Sequence, residues 1–268
     1  YRGYDSAGVA TVENGHLERR RAEGKLKNLE LRLSNHPLQG HVGIGHTRWA
    51  THGRPTERNA HPHMNERVSV VHNGIIENFS DLKKALTAKG HRFETDTDTE
   101  VVVHLITDAM QLGCDPIEAT RRTLAALQGA FALAIIFAGE DNLMMAARQG
   151  SPLAIGHGQD EMYLGSDAIA LAPFTSEITY LEEGDWAVLR RTGATIYDRA
   201  GKEVQRARTK SVATSLLVDK GNHRHFMAKE IHEQPEVISH TLAHYIDLGE
   251  GRVDIPDLGI DLATIPHV

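Results

Sequence analysis

Nine consecutive apolar residues, Ala130-Phe131-Ala132-Leu133-Ala134-Ile135-Ile136-Phe137-Ala138, lie between Gly129 and Gly139. The run is too short to cross a bilayer. Its length and its bounding glycines mark it as a strand buried on both faces, which demands a packed layer on each side. Leu143 to Arg148 reads the same way, and shorter strands follow near Leu153, Tyr163, Ile178, Trp186 and Ile196. The turns Arg191-Thr192-Gly193 and Arg199-Ala200-Gly201 are too short to join parallel neighbours, so they predict an antiparallel meander. Two packed antiparallel sheets with helices outside, an α+β fold, satisfy these constraints together.

Upstream, Gly8 to Val12 and Leu17 to Arg21 alternate around Glu13-Asn14-Gly15, an Asn-Gly pair that favours a tight hairpin. Val42 to His46 and Val68 to His72 also read as strands, and the long polar stretch between them has the character of a functional loop. Three helices are expected next. Ser80 caps the first, which runs to about Lys89 and stops at Gly90. Thr97-Asp98-Thr99-Glu100 has capping-box spacing for the second, and Asp115-Pro116 opens the third. Towards the end, His225 to Ile231 reads helical, and Pro235 begins another helix to about Ile246. The reading is thus a main domain over residues 1–220 and a connector over 221–268.

Of the 268 residues, 40% are hydrophobic and 24% charged, with a formal charge of −7. Such an acidic balance argues against a general polyanion binder, so nucleic acid is not an expected partner. A single cysteine forbids an intrachain disulfide and favours a reducing compartment, with the cytoplasm as the default. The first residues, Tyr1-Arg2-Gly3-Tyr4-Asp5, lack the apolar stretch of a signal peptide, and no membrane segment is read.

Chemistry concentrates in two runs, Gly45-His46-Thr47-Arg48-Trp49-Ala50-Thr51-His52-Gly53 and His72-Asn73-Gly74-Ile75-Ile76-Glu77-Asn78. Arg48 offers a planar fork suited to a carboxylate, and Thr51 and His52 add donors on the same loop. Asp98 could receive an ammonium group, so the two ends of an amino-acid head would meet opposite charges; the plain alternative is a surface Arg-Asp ion pair. Asn73 and Gly74 at a strand end could set a side-chain amide beside a backbone N–H, the arrangement that stabilises an oxyanion, or could simply form a turn. Trp49 is either an apolar lid or a core anchor.

His61-Pro62-His63 and His223-Arg224-His225 do not bring the further ligands a zinc site needs, so no metal and no cofactor is expected. Arg19-Arg20-Arg21 could contact phosphate, but reads first as the solvated face of an edge strand. Cys114 lacks a histidine neighbour and sits beside an acid, so it is read as structural rather than nucleophilic.

These runs closely resemble the glutaminase domain of the glutamine–fructose-6-phosphate amidotransferase family. Tyr1-Arg2-Gly3-Tyr4-Asp5-Ser6-Ala7-Gly8, Asn59-Ala60-His61-Pro62-His63, Thr97-Asp98-Thr99-Glu100, Gly150-Ser151-Pro152-Leu153 and Lys229-Glu230-Ile231-His232-Glu233-Gln234-Pro235 also match that family's motifs, in order. The resemblance implies a four-layer α/β/β/α sandwich of the N-terminal nucleophile hydrolase type. It implies that Arg48, Thr51, His52 and Asp98 bind glutamine, that Trp49 belongs to a closing loop, and that Asn73 and Gly74 form the oxyanion hole.

The nucleophile of such enzymes is an amino-terminal Cys whose α-amine acts as base, giving a glutamyl thioester and ammonia. Residue 1 here is Tyr, so the chain is expected to lack the first strand and helix that carry that Cys. It is also expected to lack the sugar-isomerase domains through which ammonia reaches fructose 6-phosphate and through which the parent enzyme dimerises. As written, the chain is expected to be inactive. The rival readings are a non-catalytic glutamine-binding module and a histidine-rich metal protein.

Overall fold

The computed structural model describes residues 4–49, 53–211, 225–247 and 252–253. The chain divides into two compact units, Arg2–Val218 and Asp219–Val268. In the first, strands β1 (Ser6–Glu13) and β2 (His16–Glu23) form the expected hairpin, with Asn14 at φ 51° and Gly15 at φ 79° supplying the left-handed pair that a type I′ turn requires. Strand β3 (Val42–Arg48) lies on the other side of β1, so this sheet has the order β2-β1-β3. Helix α1 (Leu26–Asn35), for which no sequence signal was read, covers the sheet: Leu29 packs with Ala7 and Ala22, and Leu33 lies against them.

A larger antiparallel sheet is built from β4 (His63–Met64), β5 (Val68–Ile76), β6 (Gly129–Phe137), β7 (Met144–Gln149), β11 (Trp186–Arg190), β12 (Gly193–Tyr197) and β13 (Glu203–Val204). Its order is β13-β12-β11-β7-β6-β5-β4, which contains the expected meander. Another sheet joins β8 (Ala154–His157), β9 (Met162–Gly165), β10 (Glu177–Tyr180) and β14 (Arg208–Lys210) in the order β14-β10-β8-β9.

The apolar run of β6 explains how these sheets stack. Phe131, Leu133, Ile135 and Phe137 face one way, into a cluster with Leu86, Val102 and Ile106. These last belong to helices α2 (Phe79–Ala88) and α3 (Glu100–Gln111). Ala132, Ala134 and Ile136 face the other way. Ala132 meets Leu153 and Ile155 of the β8 region, while Ala134 and Ile136 meet Ala10, Val12 and Ile44 of the β1–β3 sheet. Ala132 and Ala134, the small residues on that face, let two sheets approach. Each large apolar side chain buried this way stabilises the fold by about 1.5–3 kcal/mol. Helix α5 (Ala168–Leu171) packs Ala168 and Leu171 on Ala154 and Ile178.

Local signals were obeyed where no tertiary partner competed. Asp115 caps α4 (Pro116–Ala126) by accepting the Glu118 N–H at 2.8 Å. Helix α2 instead begins at Phe79, ahead of Ser80, and Asn78 at its N-cap makes no cap bond. That side chain is spent elsewhere, donating to the Ala126 carbonyl at 2.9 Å and accepting from the Gln128 N–H at 3.0 Å. The Thr97–Glu100 capping box does not form either. Glu100 turns back to accept the N–H groups of Glu94 and Thr95, each at 2.7 Å, and Thr97 pairs with His63.

In the second unit, a single helix α6 (Phe226–Tyr245) runs through Pro235, where the sequence predicts a break between two helices. A short pair, β15 (Ile246–Asp247) and β16 (Arg252–Val253), follows it. Among the described residues no helix is long and apolar enough to cross a membrane.

Candidate active site

Strands β3 and β5 bring the two motif runs side by side. At the end of β5, Gly74 stands at φ 130° opposite Phe131, and a Cβ there would fall 2.0 Å from the Ala130 carbonyl oxygen. Only glycine fits that backbone. Asn73, exposed beside it, accepts a hydrogen bond from His46 Nε2 at 2.7 Å through its Oδ1. A carbonyl oxygen has no proton to give, so the His46 proton sits on Nε2. Because the amide is planar, engaging Oδ1 turns the Nδ2 donors away from His46.

His46 and Asn73 border a cleft of about 410 Å³. It runs between β3 and β9, which are the end strands of their sheets, above residues of β5 and β6.

Arg48 is only 3% exposed. Its guanidinium contacts Asp5 Oδ1 at 3.2 Å and donates to the carbonyls of Gly53 at 3.1 Å and Arg54 at 3.3 Å. It thereby ties the strand end to the loop that follows, and its ion pair is a buried one with Asp5, not a surface one. Asp98, 4% exposed, accepts the Ile76 N–H at 2.8 Å and lies 3.8 Å from His72 Nδ1. Arg48 and Asp98 do not line the cleft. Trp49 is 60% exposed, which excludes the core-anchor reading. Thr51 and His52 lie outside the described residues. Cys114 follows α3 and packs beside the helix-side core, away from the cleft.

Sequence reasoning missed a buried histidine–threonine network behind the motif strands. Thr99 Oγ1 lies 3.1 Å from His61 Nε2 and 3.0 Å from His72 Nδ1, while Thr97 Oγ1 lies 3.2 Å from His63 Nε2. The rings of His46 and His61 stand 4.4 Å apart, and those of His61 and His63 4.6 Å. A hydroxyl has one proton, so one of the two imidazoles at Thr99 must donate to it. Burial pushes His61 well below its ordinary pKa and, with Arg21 nearby, brings His63 to about 3. These rings are therefore neutral at pH 7. The available signal was their position: each lies in or next to a motif run. Among the described residues no group of three or more His, Cys, Asp or Glu side chains is arranged to hold a metal ion.

The two lowered values predict acid sensitivity. The unfolded chain takes up protons at these histidines below about pH 6.5 while the folded chain refuses them, so stability is complete above that pH and falls as pH drops. The slope is about 1.4 kcal/mol per pH unit for each histidine, and for His63 it continues towards pH 3. Denaturant melts between pH 7 and 5 should show it, with a shallower slope in His63→Gln. An identical slope in that variant contradicts the assignment.

Comparison with known proteins adds the following. The glutamine amidotransferase domain family matches residues 46–173. Glutamine–fructose-6-phosphate aminotransferase (isomerizing) from Brucella suis biovar 1 (strain 1330) is 62% identical over 268 residues, covering 100% of this chain and 44% of its own length. The protein of the same name from Bradyrhizobium diazoefficiens is 64% identical over 269 residues, again with 100% and 44% covered. The chain thus spans less than half the length of these curated relatives. Among solved structures, the glutamine phosphoribosylpyrophosphate amidotransferase of B. subtilis superposes with a TM-score of 0.64 at 24% identity, covering 74% of this chain and 43% of its own. That likeness concerns the fold.

Proposed function

This chain belongs to the glutamine amidotransferase family, and from that premise we propose that it is the glutaminase part of a glutamine–fructose-6-phosphate aminotransferase. The observation that carries the reading is Asn73, its amide oriented by His46 at 2.7 Å, next to a residue that only glycine can occupy, at the border of a cleft. The Asn73 Nδ2–H and the Gly74 N–H are the donors for the oxyanion that forms when the side-chain amide of glutamine is attacked. Arg48, Thr51, His52 and Asp98 hold the amino-acid head beside that cleft rather than in it, since Arg48 and Asp98 do not line it, and Trp49 belongs to the loop that closes over it. Exposure of Trp49 favours a lid.

The attacking thiolate comes from an amino-terminal Cys on a strand seated between β3 and β9. Two end strands facing one cleft support that placement, and such a strand would complete the four-layer sandwich suggested by the opposed faces of β6. Residues 1–268 hold no thiol but Cys114. Ammonia would serve a sugar domain carrying fructose 6-phosphate, in a cytoplasmic homodimer.

Calorimetric titration of the chain with L-glutamine, D-glutamine and zinc tests the pocket independently of catalysis. Saturable heat with L-glutamine alone is the expected result. Binding of zinc but not of L-glutamine overturns the reading in favour of a metal protein.

A further inference from the structure

The Arg19-Arg20-Arg21 run of β2 does not form one solvated face. Arg20 pairs with Glu18 at 2.9 Å. Arg19 and Arg21, two residues apart and so on the opposite face, are half-buried. Arg19 Nη1 donates to the Pro62 carbonyl at 2.9 Å, and Arg21 Nη1 to the carbonyls of Arg58 at 3.0 Å and Ala60 at 2.9 Å. These backbone bonds fix the orientation of both forks without neutralising them. Among the described residues neither guanidinium has a carboxylate at ion-pair distance.

Both line a cavity of about 500 Å³, separate from the cleft at Asn73. Arg58, Arg67 and Arg92 also line it, so five arginines face three glutamates, Glu66, Glu94 and Glu100. Glu100 is already satisfied by the N–H groups of Glu94 and Thr95 and the Thr95 hydroxyl. Burial first, and the neighbouring Arg21 second, lower Arg19 to about 10 against the weaker opposing pull of Glu94, Glu57 and Glu100, so it remains charged at pH 7. Two like charges, partly desolvated and held by carbonyls, are costly unless an anion joins them.

We propose that this cavity is a binding site for a phosphate group, free or as a monoester, held by the paired forks of Arg19 and Arg21. Planar guanidinium forks match phosphate oxygens in a way an ammonium does not. The remaining volume accommodates a small organic portion.

The chain should be titrated at fixed ionic strength with inorganic phosphate, glucose 6-phosphate and chloride, read by calorimetry and by the histidine ring resonances in NMR. Saturable phosphate binding near about 1 mM is expected, with movement of the His63 and His104 signals. Arg19→Gln and Arg21→Gln should each weaken it at least tenfold, and Arg20→Gln should leave it unchanged. Tighter binding of the ester identifies a phosphorylated metabolite as the ligand; equal affinity identifies free phosphate. Absence of saturation, or equal losses in Arg20→Gln and Arg21→Gln, overturns the site. If the glutamine variants fail to fold, the wild-type resonances decide: phosphate that moves neither His63 nor His104 overturns it as well.

Discussion

Arg48→Ala abolishes glutamine binding and lowers the melting temperature at the same time. The second effect follows from burial. The guanidinium is 3% exposed and compensates Asp5 while donating to the carbonyls of Gly53 and Arg54. Truncation leaves a carboxylate and two carbonyls without these donors, and breaking a buried pair by removing one partner costs about 3–5 kcal/mol. The first effect follows from the proposed pocket. A substrate carboxylate at the same fork would meet a cation already oriented and held out of water.

Arg48→Lys separates the two effects, because an ammonium preserves the charge but not the planar fork. It should recover part of the stability and little of the affinity. Calorimetry with glutamine, below the melting temperature of each variant, is the measurement. Unchanged affinity in Arg48→Ala sinks the assignment of Arg48 to the substrate carboxylate, whatever happens to stability.

The same residue shows where sequence reading stops. Its fork geometry and its place in a motif were legible, but its partner Asp5 lies 43 residues away and is set by the register of β1 on β3. Local chemistry was readable where it was decided locally. Asn14-Gly15 must adopt positive φ in a tight hairpin, and Asp115-Pro116 has no competing partner, so both behaved as their types predict. Thr97 and Glu100 carry an equally good local signal, yet His63, Glu94 and Thr95 claim them. The histidines are visible as letters, whereas their ring contacts and their hydrogen bonds to Thr97 and Thr99 depend on separate segments converging. Helix α1 went unread because tertiary contact of Leu29 and Leu33, rather than a cap, holds it. Alternation along a strand identifies two faces without saying which one is covered, so the sequence alone places Arg19 and Arg21 in solvent.

The division of strands into sheets was the least legible feature, and it yields the other large prediction. A chain extended upstream by an apolar strand and helix headed by Cys should gain both stability and glutaminase activity, while residues 1–268 alone release ammonia no faster than a blank. Strands β3 and β9 end their sheets on the two sides of one cleft. Seating a strand there gives each edge a hydrogen-bonding partner and covers Ala132 and Ala134, which line the cleft floor. Even a net gain of about 2 kcal/mol raises Tm by roughly 4–8 °C in a domain of this size.

A Cys→Ser version of the extension separates folding from chemistry. It should keep the higher Tm and lose ammonia release, because a free thiol and its own α-amine are what make the thioester. Equal melting curves with and without the strand refute the placement between β3 and β9. A raised Tm with tight glutamine binding but no ammonia from the Cys version instead supports the glutamine-binding module. In that outcome the Asn73 amide would serve ligand binding rather than an oxyanion, and His46→Ala would weaken glutamine binding with no rate to lose.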